Sequence, residues 1–408
     1  MERDALINLV NQGMDALEAE RFDEAVTLFA QATRHDPTDA DNWKRLGYAY
    51  GELERHAEAL SAYREALRLD PTDFDVQCDL AFLLDEDGQS AEALLIYDRL
   101  KIELPNEARV WYNMGVALGN LDRNEEALAA YRETVRINPD YAKAHFNTGA
   151  ILQERKQYQA AFDAFTEAIR VKPDYGRAYF RKGEILKSWK QWDQAMAAYD
   201  AAIRYQYDLP GAYNNMGTIL AELGRDAEAI TAYQTSLAFS DGQGHGVDDS
   251  QNADSNDSRA DTYFNLGLAY NHLERYEEAI AAYQQAIRLK PDDAVLHDNL
   301  GIAFDLAERY EEAIVAYEQA LEINPSLASA HHNLAISLIN VDQQEEALER
   351  FRLAIRLDPE NPRYWCNIGD LLIDMERKEE ALAAWQHAAR LDPNNDAVRF
   401  NIADLLDS

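Results

Sequence analysis

The chain has 408 residues, of which 47% are apolar, and its 74 acidic and 39 basic side chains give a formal charge of −35. A surface this negative repels phosphate backbones and anionic lipid headgroups, so nucleic acids and membranes are poor candidate partners. Because no apolar run approaches the roughly 18 residues of a membrane-spanning helix and the acidic amino terminus is unlike a secretory signal, we expect no membrane insertion and a cytoplasmic protein.

Proline recurs along the chain with a spacing of 34 residues. The two series are Pro37, Pro71, Pro105, Pro139 and Pro173, followed by Pro291, Pro325, Pro359 and Pro393. If each repeat is numbered so that its proline is position 32, repeats begin at residues 6, 40, 74, 108, 142, 176 and 210, and again at 260, 294, 328 and 362. Periods of about 20 to 50 residues are typical of solenoids and related arrays. The sequence therefore predicts eleven copies of one structural unit.

Three further positions predict that each repeat forms two antiparallel helices. Position 20 is alanine and position 24 is aromatic in all eleven repeats, and position 8 is glycine in nine and alanine in two. Positions 4, 7, 8 and 11 share one face of a first helix, and positions 20, 24 and 27 share one face of a second. Small residues at positions 8 and 20 let the helix axes approach, and the aromatic side chain fills the space beside them. Proline at position 32 ends the second helix, because it lacks the N–H needed to continue.

This pattern resembles that of the tetratricopeptide repeat (TPR) family. Repeat two carries the whole set of motif residues, which are Trp43, Leu46, Gly47, Tyr50, Ala59, Tyr63, Ala66 and Pro71. Since one repeat cannot bury its apolar face alone, the repeats must stack. The resemblance implies an all-α fold, a right-handed α-solenoid or superhelix, with repeats one to seven at residues 6–243 and repeats eight to eleven at 260–395. Residues 396–408 read as a further first helix, which we expect to cap the last apolar face.

An insertion rich in Gly, Ser, Asp and Asn separates the two series of repeats. We assign residues 244–259 to it and expect them to be disordered, because they contain too few apolar side chains to bury. The extra 16 residues cost about 1.4 kcal/mol of loop-closure entropy, less than stacking two repeats should gain. We therefore expect repeats seven and eight to stack directly, with a hinge as the alternative.

The sequence carries no recognisable catalytic or metal-binding pattern. It has no phosphate-binding loop, nucleophile elbow or His-Glu-x-x-His motif, and no stretch outside the repeats is long enough for a catalytic domain. His145, His297 and His331 occupy position 4, where other repeats carry Trp or Tyr, so we interpret them as packing residues. Cys78 and Cys366 lie too far apart in sequence to suggest a metal knuckle. We predict no enzymatic activity, no cofactor and no metal site.

Asparagine recurs at position 6, in nine of twelve first helices. The candidate peptide-binding residues are Asn113, Asn147, Asn215, Asn265, Asn299, Asn333, Asn367 and Asn401. Position 6 lies about 200° from position 4, so it points away from the second helix, and an amide can pair with a peptide unit as donor and acceptor. The series resembles the asparagine ladder of the O-GlcNAc transferase repeat domain, which holds extended polypeptide on a concave face. Alternatively, asparagine recurs because the repeats are copies, or the amides bond to neighbouring helices and stiffen the stack.

A second candidate site lies in repeats five and six, where basic side chains outnumber acidic ones. The candidate carboxylate-binding residues are Lys143, Asn147, Arg177 and Arg181. They resemble part of the dicarboxylate clamp with which co-chaperone repeats hold the C-terminal tails of heat-shock proteins. The Lys and Asn expected one repeat earlier are Tyr112 and Val116 here, and Glu184 lies where it could neutralise Arg181.

These features predict a non-enzymatic scaffold that binds extended segments of other proteins in the concave groove through the asparagine ladder. One alternative is a co-chaperone-like or assembly-factor module that recognises a C-terminal carboxylate tail through repeats five and six. A second alternative is a partner that presents substrates to a separate glycosyltransferase subunit, which rests on analogy with the transferase repeats alone.

Overall fold

The computed structural model describes residues 2–242 and 252–407, and all regular structure within these ranges is α-helical. The described residues form 23 helices joined by short turns, two to each repeat and one more after repeat eleven. The chain divides into two compact units between Ile185 and Leu186, inside the eleventh helix. The prediction of an all-α fold of paired helices is confirmed.

The helices of the first unit follow the predicted repeat boundaries closely. They are α1 (Glu2–Glu18), α2 (Phe22–His35), α3 (Ala40–Glu52), α4 (His56–Leu69), α5 (Phe74–Glu86), α6 (Ser90–Glu103), α7 (Ala108–Asn120), α8 (Asn124–Ile137), α9 (Ala142–Glu154), α10 (Tyr158–Val171) and the start of α11 (Gly176–Ser188). In repeats two to six each first helix begins at the first residue of its repeat. Side chains at the preceding residue cap several of them: Asp39, for example, accepts hydrogen bonds from the backbone N–H groups of Asp41 and Asn42.

The second unit contains the remaining twelve described helices. They are α12 (Trp192–Arg204), α13 (Leu209–Glu222), α14 (Asp226–Gly242), α15 (Asn252–His272), α16 (Tyr276–Leu289), α17 (Ala294–Leu306), α18 (Tyr310–Ile323), α19 (Ala328–Asn340), α20 (Gln344–Leu357), α21 (Pro362–Asp374), α22 (Lys378–Leu391) and α23 (Asp396–Asp407). One cluster of buried apolar side chains runs from Leu220 to Ala384. At its end α23 packs on α22, where Val398 is buried against Trp385 and Ala388, as expected of a capping helix.

Packing inside each repeat depends on the small residue at position 8. A Cβ atom added to Gly47 would lie 2.7 Å from Cδ1 of Tyr63, far inside the usual contact distance of about 3.5–4 Å. The aromatic side chains at position 24 are at most 5% exposed in all eleven repeats. The glycine therefore allows the second helix to place an aromatic ring directly against the first.

Two features that recur among the repeats determine the geometry of the turns. Position 15, just after the first helix, is left-handed in all eleven repeats, with φ between 56° and 76°, although only Gly88 and Gly224 are glycines there. At position 4, Nε1 of Trp111 donates to the carbonyl of Pro105 at 3.0 Å, and Nε2 of His297 contacts that of Pro291 at 3.0 Å. His145 and His331 make the same contact, so these histidines hold the turn as well as pack in it.

The region of the predicted insertion differs from expectation in one part. Residues 244–251 lie outside the described residues, but residues 252–259 belong to helix α15 instead of a disordered linker. Nζ of Lys290 pairs with Asp257 at 3.6 Å and with Asp261 at 2.8 Å, one helical turn apart, which supports this extension. Helices α14 and α15 pack directly on each other, and Nε2 of Gln234 donates to the Tyr270 hydroxyl at 2.9 Å. Repeats seven and eight are therefore stacked within the second unit.

Candidate functional site

Several asparagines of position 6 form hydrogen bonds to side chains of the preceding repeat. In the first unit, Nδ2 of Asn147 donates to the hydroxyls of Tyr112 at 3.3 Å and Tyr131 at 3.2 Å. Both tyrosines belong to repeat four, at positions 5 and 24. The amide of Asn147 thus ties repeat five to repeat four.

Repeats nine to eleven carry a longer chain of such bonds. Nδ2 of Asn333 donates to Oδ1 of Asp298 at 3.1 Å, and Oδ1 of Asn333 lies 3.2 Å from Nδ1 of His332. The other ring nitrogen, Nε2 of His332, lies 2.9 Å from Nδ2 of Asn367. Because that amide nitrogen can only donate, Nε2 accepts and the neutral ring carries its proton on Nδ1. Ser329 completes the chain by donating to Asp298 at 2.9 Å.

Burial shifts the pKa values of the hydrogen-bonded side chains in repeats nine to eleven. Asp298 is 6% exposed and His332 is 2% exposed. Burial raises the pKa of Asp298, although the bonds from Ser329 and Asn333 oppose the rise. Burial lowers the pKa of His332, which keeps the imidazole neutral. Asp305 nearby accepts bonds from Tyr317 and Ser337, and burial raises its pKa as well. These polar groups are satisfied within the repeats.

The remaining candidate asparagines have different surroundings. Oδ1 of Asn215 accepts a hydrogen bond from Lys187 at 2.5 Å, and Nδ2 of Asn299 donates to the Val295 carbonyl of its own helix at 2.8 Å. Asn113 lies beside the Tyr97 hydroxyl of repeat three, whose pKa burial raises. Asn265 and Asn401, both half-buried, make no side-chain hydrogen bond with any residue that the structure describes.

In three cases the partner of the asparagine is the residue at position 5 of the preceding repeat. Where that residue is Tyr112, Asp298 or His332, the following asparagine bonds to it, each time across 35 residues. Where it is cysteine or phenylalanine, as before Asn113, Asn215, Asn299 and Asn401, the pairing is absent among the described residues. Sequence reasoning missed these partners, although polar residues 35 positions before an asparagine were a usable signal. Asn265 is an exception, because the polar residue at position 5 before it, Asn214, does not bond to it. The buried Oδ1 of Asn214 has no hydrogen-bond partner among the residues that the structure describes.

The four candidate carboxylate-binding residues, which are three cations and Asn147, are not all free to bind a ligand. The guanidinium of Arg181 pairs with Glu184, with 3.1 Å between NH1 and Oε2, and Asn147 donates to the two tyrosines named above. The guanidinium of Arg177 lies over the ring of Phe146, 4.8 Å from its centroid. Lys143 is exposed, and neither it nor Arg177 forms an ion pair with a described residue. The neutralisation of Arg181 by Glu184, raised as an alternative above, is therefore present.

A stripe of apolar side chains runs along α17, on the side of the helix that also carries position 6. Val295 and Leu306, at positions 2 and 13, are 49% and 45% exposed. Ile302 at position 9 is partly buried against the core of the second unit. Asn299 lies between Val295 and Ile302 on the same side of the helix, so an amide stands among solvent-accessible apolar groups.

Models of one protein family match most of the chain. Tetratricopeptide repeat models match residues 10–74, 52–115, 108–141, 176–208, 208–292, 258–326, 306–371 and 362–395. The chain belongs to the tetratricopeptide repeat family. No curated protein sequence matches this TPR chain.

Among the described residues of the chain, no cluster of His, Cys, Asp and Glu is placed to hold a metal ion, and no helix is long and apolar enough to cross a membrane.

Several solved TPR structures are similar to the chain. The C-terminal part of a TPR repeat-containing protein from Cytophaga hutchinsonii is 19% identical with a TM-score of 0.50, over 62% of this chain and 97% of that one. Yeast Tom70 is 14% identical with a TM-score of 0.40, over 99% and 96% of the two chains. YrrB, described as a TPR protein with an unusual peptide-binding site, is 18% identical with a TM-score of 0.42, over 50% and 97%. The similarity to the structure from Cytophaga hutchinsonii supports the TPR fold.

Proposed function

We propose that the chain is a non-enzymatic scaffold that binds extended segments of other proteins on the face of its first helices. The stripe on α17 carries the proposal, because half-exposed Val295 and Leu306 flank the amide of Asn299. Apolar contacts would hold the side chains of a bound segment, and an amide could pair with one of its peptide units. Membership of the TPR family, whose stacked repeats create extended binding surfaces, supports the same function.

The proposal assigns different tasks to the position-6 asparagines. Asn265, Asn299 and Asn401 are the peptide-contacting members, since none of them bonds to a neighbouring repeat among the described residues. Asn333 and Asn367 hold neighbouring repeats together through Asp298 and His332. The ladder that the sequence suggested is in this view an interrupted one, with binding and structural members in the same register.

Recognition of a C-terminal carboxylate in repeats five and six has weaker support. The guanidinium of Arg181 already pairs with Glu184, and Gln153 also donates to that carboxylate at 3.3 Å. A carboxylate tail would have to compete with Glu184 for Arg181, which leaves Lys143 and Arg177 as the remaining cations. Two exposed cations bind a carboxylate weakly, because solvent screens the attraction.

An array of short unstructured peptides of varied sequence tests the scaffold function. We expect the double variant Asn265→Ala/Asn299→Ala to bind every positive peptide about tenfold more weakly, since two hydrogen bonds of about 0.5–1.5 kcal/mol each are lost whatever the sequence. Gln284→Ala is the matched control, because it removes an exposed carboxamide from the second helix of repeat eight. Circular dichroism checks that the variants keep their helices.

The outcomes separate the two parts of the proposal. If the wild-type protein binds no peptide on the array, the scaffold function is wrong. If it binds and the double variant binds equally well, the amides play no part in binding and the ladder is wrong. A loss in the Gln284→Ala control equal to that of the double variant would also contradict the ladder.

A further inference from the structure

A cleft of about 710 Å³ opens beside the first helices of repeats two and three, in the first unit. It lies between α3 of repeat two and α5 of repeat three. Two aromatic side chains line it, and Tyr48 is 45% and Phe82 47% exposed. Both occupy position 9, which is aromatic in these two repeats and in none of the other nine. Large aromatic side chains left open to solvent in a concave surface are typical of binding sites.

The charge of the cleft is negative. Glu52 and Glu86, one helical turn after the two aromatic residues, are exposed and form no ion pair with a described residue. Asp79 and Arg109 also line the cleft and pair with each other, with 3.2 Å between NH1 of Arg109 and Oδ1 of Asp79. That same guanidinium also bonds to Asp75 outside the cleft, so one cation is shared between two carboxylates.

The ionisation of the cleft side chains agrees with this negative potential. The pKa of the Tyr48 hydroxyl is raised by burial, by the charge of Glu52 and a hydrogen bond to it, and by the charges of Asp79 and Glu20, so the phenol stays neutral. Burial also raises the pKa of Asp79, against the opposing effect of Arg109. A cation entering the cleft would relieve the repulsion among these carboxylates.

We propose that this cleft binds an arginine side chain of an extended polypeptide segment, stacked on Tyr48 and Phe82 and paired with Glu52 and Glu86. The proposal rests on the scaffold function above and names the chemistry of one partner residue. A planar guanidinium stacks on aromatic faces and pairs with carboxylates through two parallel N–H groups. The ammonium of lysine is more strongly hydrated and gains less from stacking, so arginine is the better fit.

Fluorescence anisotropy with labelled peptides of glycine and serine tests this inference. The probes carry one arginine, or lysine or citrulline at the same place, because citrulline keeps the shape of arginine without its charge. We expect the arginine peptide to bind at least about tenfold more tightly than the citrulline peptide, and more tightly than the lysine peptide. Phe82→Ala and the double variant Glu52→Gln/Glu86→Gln should each weaken arginine binding at least about fivefold.

Two control variants match these changes outside the cleft. Ile102→Ala removes an apolar side chain that is 75% exposed on α6, and Glu103→Gln removes an exposed carboxylate beside it. Both lie in the first unit and should leave the affinity for the arginine peptide unchanged. The tested side chains are themselves exposed, so the variants should fold, which circular dichroism verifies.

Each remaining outcome overturns a defined statement. Equal affinity for the arginine and citrulline peptides, or unchanged affinity in Phe82→Ala, overturns the arginine site. If peptides on the array still bind in that case, the scaffold function stands; if no peptide binds at all, both proposals fall. A protein dimer that dissociates in Phe82→Ala would show that a second copy of the chain occupies the cleft, which also overturns the proposal.

Discussion

Replacing single asparagines at position 6 should separate structural members of the series from peptide-contacting ones. Asn333→Ala removes the bond to Asp298 and leaves Nδ1 of His332 without its acceptor. Asn265→Ala, at the same position of repeat eight, removes no side-chain hydrogen bond with a described residue. The two substitutions are chemically identical, so any difference between them comes from the surroundings.

The expected difference follows from the bonds that each variant loses. A bond to a charged acceptor contributes about 1.5–3 kcal/mol, and leaving a buried donor unpaired costs about 1–3 kcal/mol. Alanine is the better helix former by roughly 0.6 kcal/mol, which offsets part of the loss at Asn333. We expect Asn333→Ala to lower the free energy of unfolding by about 3 kcal/mol, and Asn265→Ala to change it by less than about 0.6 kcal/mol in the stabilising direction.

Urea unfolding followed by helical circular dichroism measures both values. Hydrogen exchange of α17 and α19 should localise the loss in Asn333→Ala, because neighbouring repeats of a solenoid are coupled mainly to each other. Equal destabilisation by the two substitutions would refute the reasoning, as would a neutral Asn333→Ala. Either result would mean that the polar chain of repeats nine to eleven does not hold them together.

Two further predictions concern pH and packing. Burial lowers the pKa of His332 in the folded protein. The neutral imidazole therefore makes its full contribution to the free energy of unfolding above about pH 6.5. This contribution falls by at most about 1.4 kcal/mol per pH unit as the pH decreases towards the folded-state pKa. Gly301→Ala would place Cβ 2.7 Å from Cδ1 of Tyr317, so overpacking of about 1–3 kcal/mol exceeds the roughly 1 kcal/mol gained in helix propensity. Chemical denaturation at several pH values and thermal unfolding, respectively, measure the two effects.

Matched variants control both experiments. His332→Gln removes the titrating group but leaves His331 and Asp298 in place, so the pH dependence of its stability should be shallower than that of the wild type below about pH 6.5. Identical slopes would contradict the role given to His332. Gly119→Ala adds a Cβ where no atom lies within 4 Å, so it should stabilise the protein by up to about 1 kcal/mol. A stabilising Gly301→Ala would show that the ring of Tyr317 yields.

The fold was predictable because its determinants lie inside one repeat. Glycine at position 8 and the aromatic residue at position 24 make a contact within one helix pair, as for Gly47 and Tyr63, so periodicity alone revealed it. The helical start of α15 was not predictable from composition, since the supporting cation, Lys290, lies in the turn before the next repeat. A polar segment at the start of an already stacked helix needs no apolar core of its own to become helical.

The candidate site was harder to predict because its side chains bond between repeats. Helical geometry placed Asn147 and Asn333 on the side of the helix away from position 4, but it could not decide whether their amides were free. That depends on the residue 35 positions earlier, which is Tyr112 in one case and Asp298 in the other. Neutralisation of Arg181 by Glu184 was foreseeable, because both lie on one helix three residues apart.

Under the proposed function, asparagines of one register serve either cohesion or binding, and the residue at position 5 of the preceding repeat contributes to the difference. Before Asn299 that residue is Phe264, which offers the amide no hydrogen bond, so the asparagine turns to its own helix and keeps hydrogen-bonding capacity for a ligand. Before Asn367 it is His332, and the amide is held. A polar residue in place of Phe264 would thus be expected to hold the amide of Asn299 as His332 holds that of Asn367. Under the proposed function, such a substitution would change which asparagines are available to a bound segment without touching that segment.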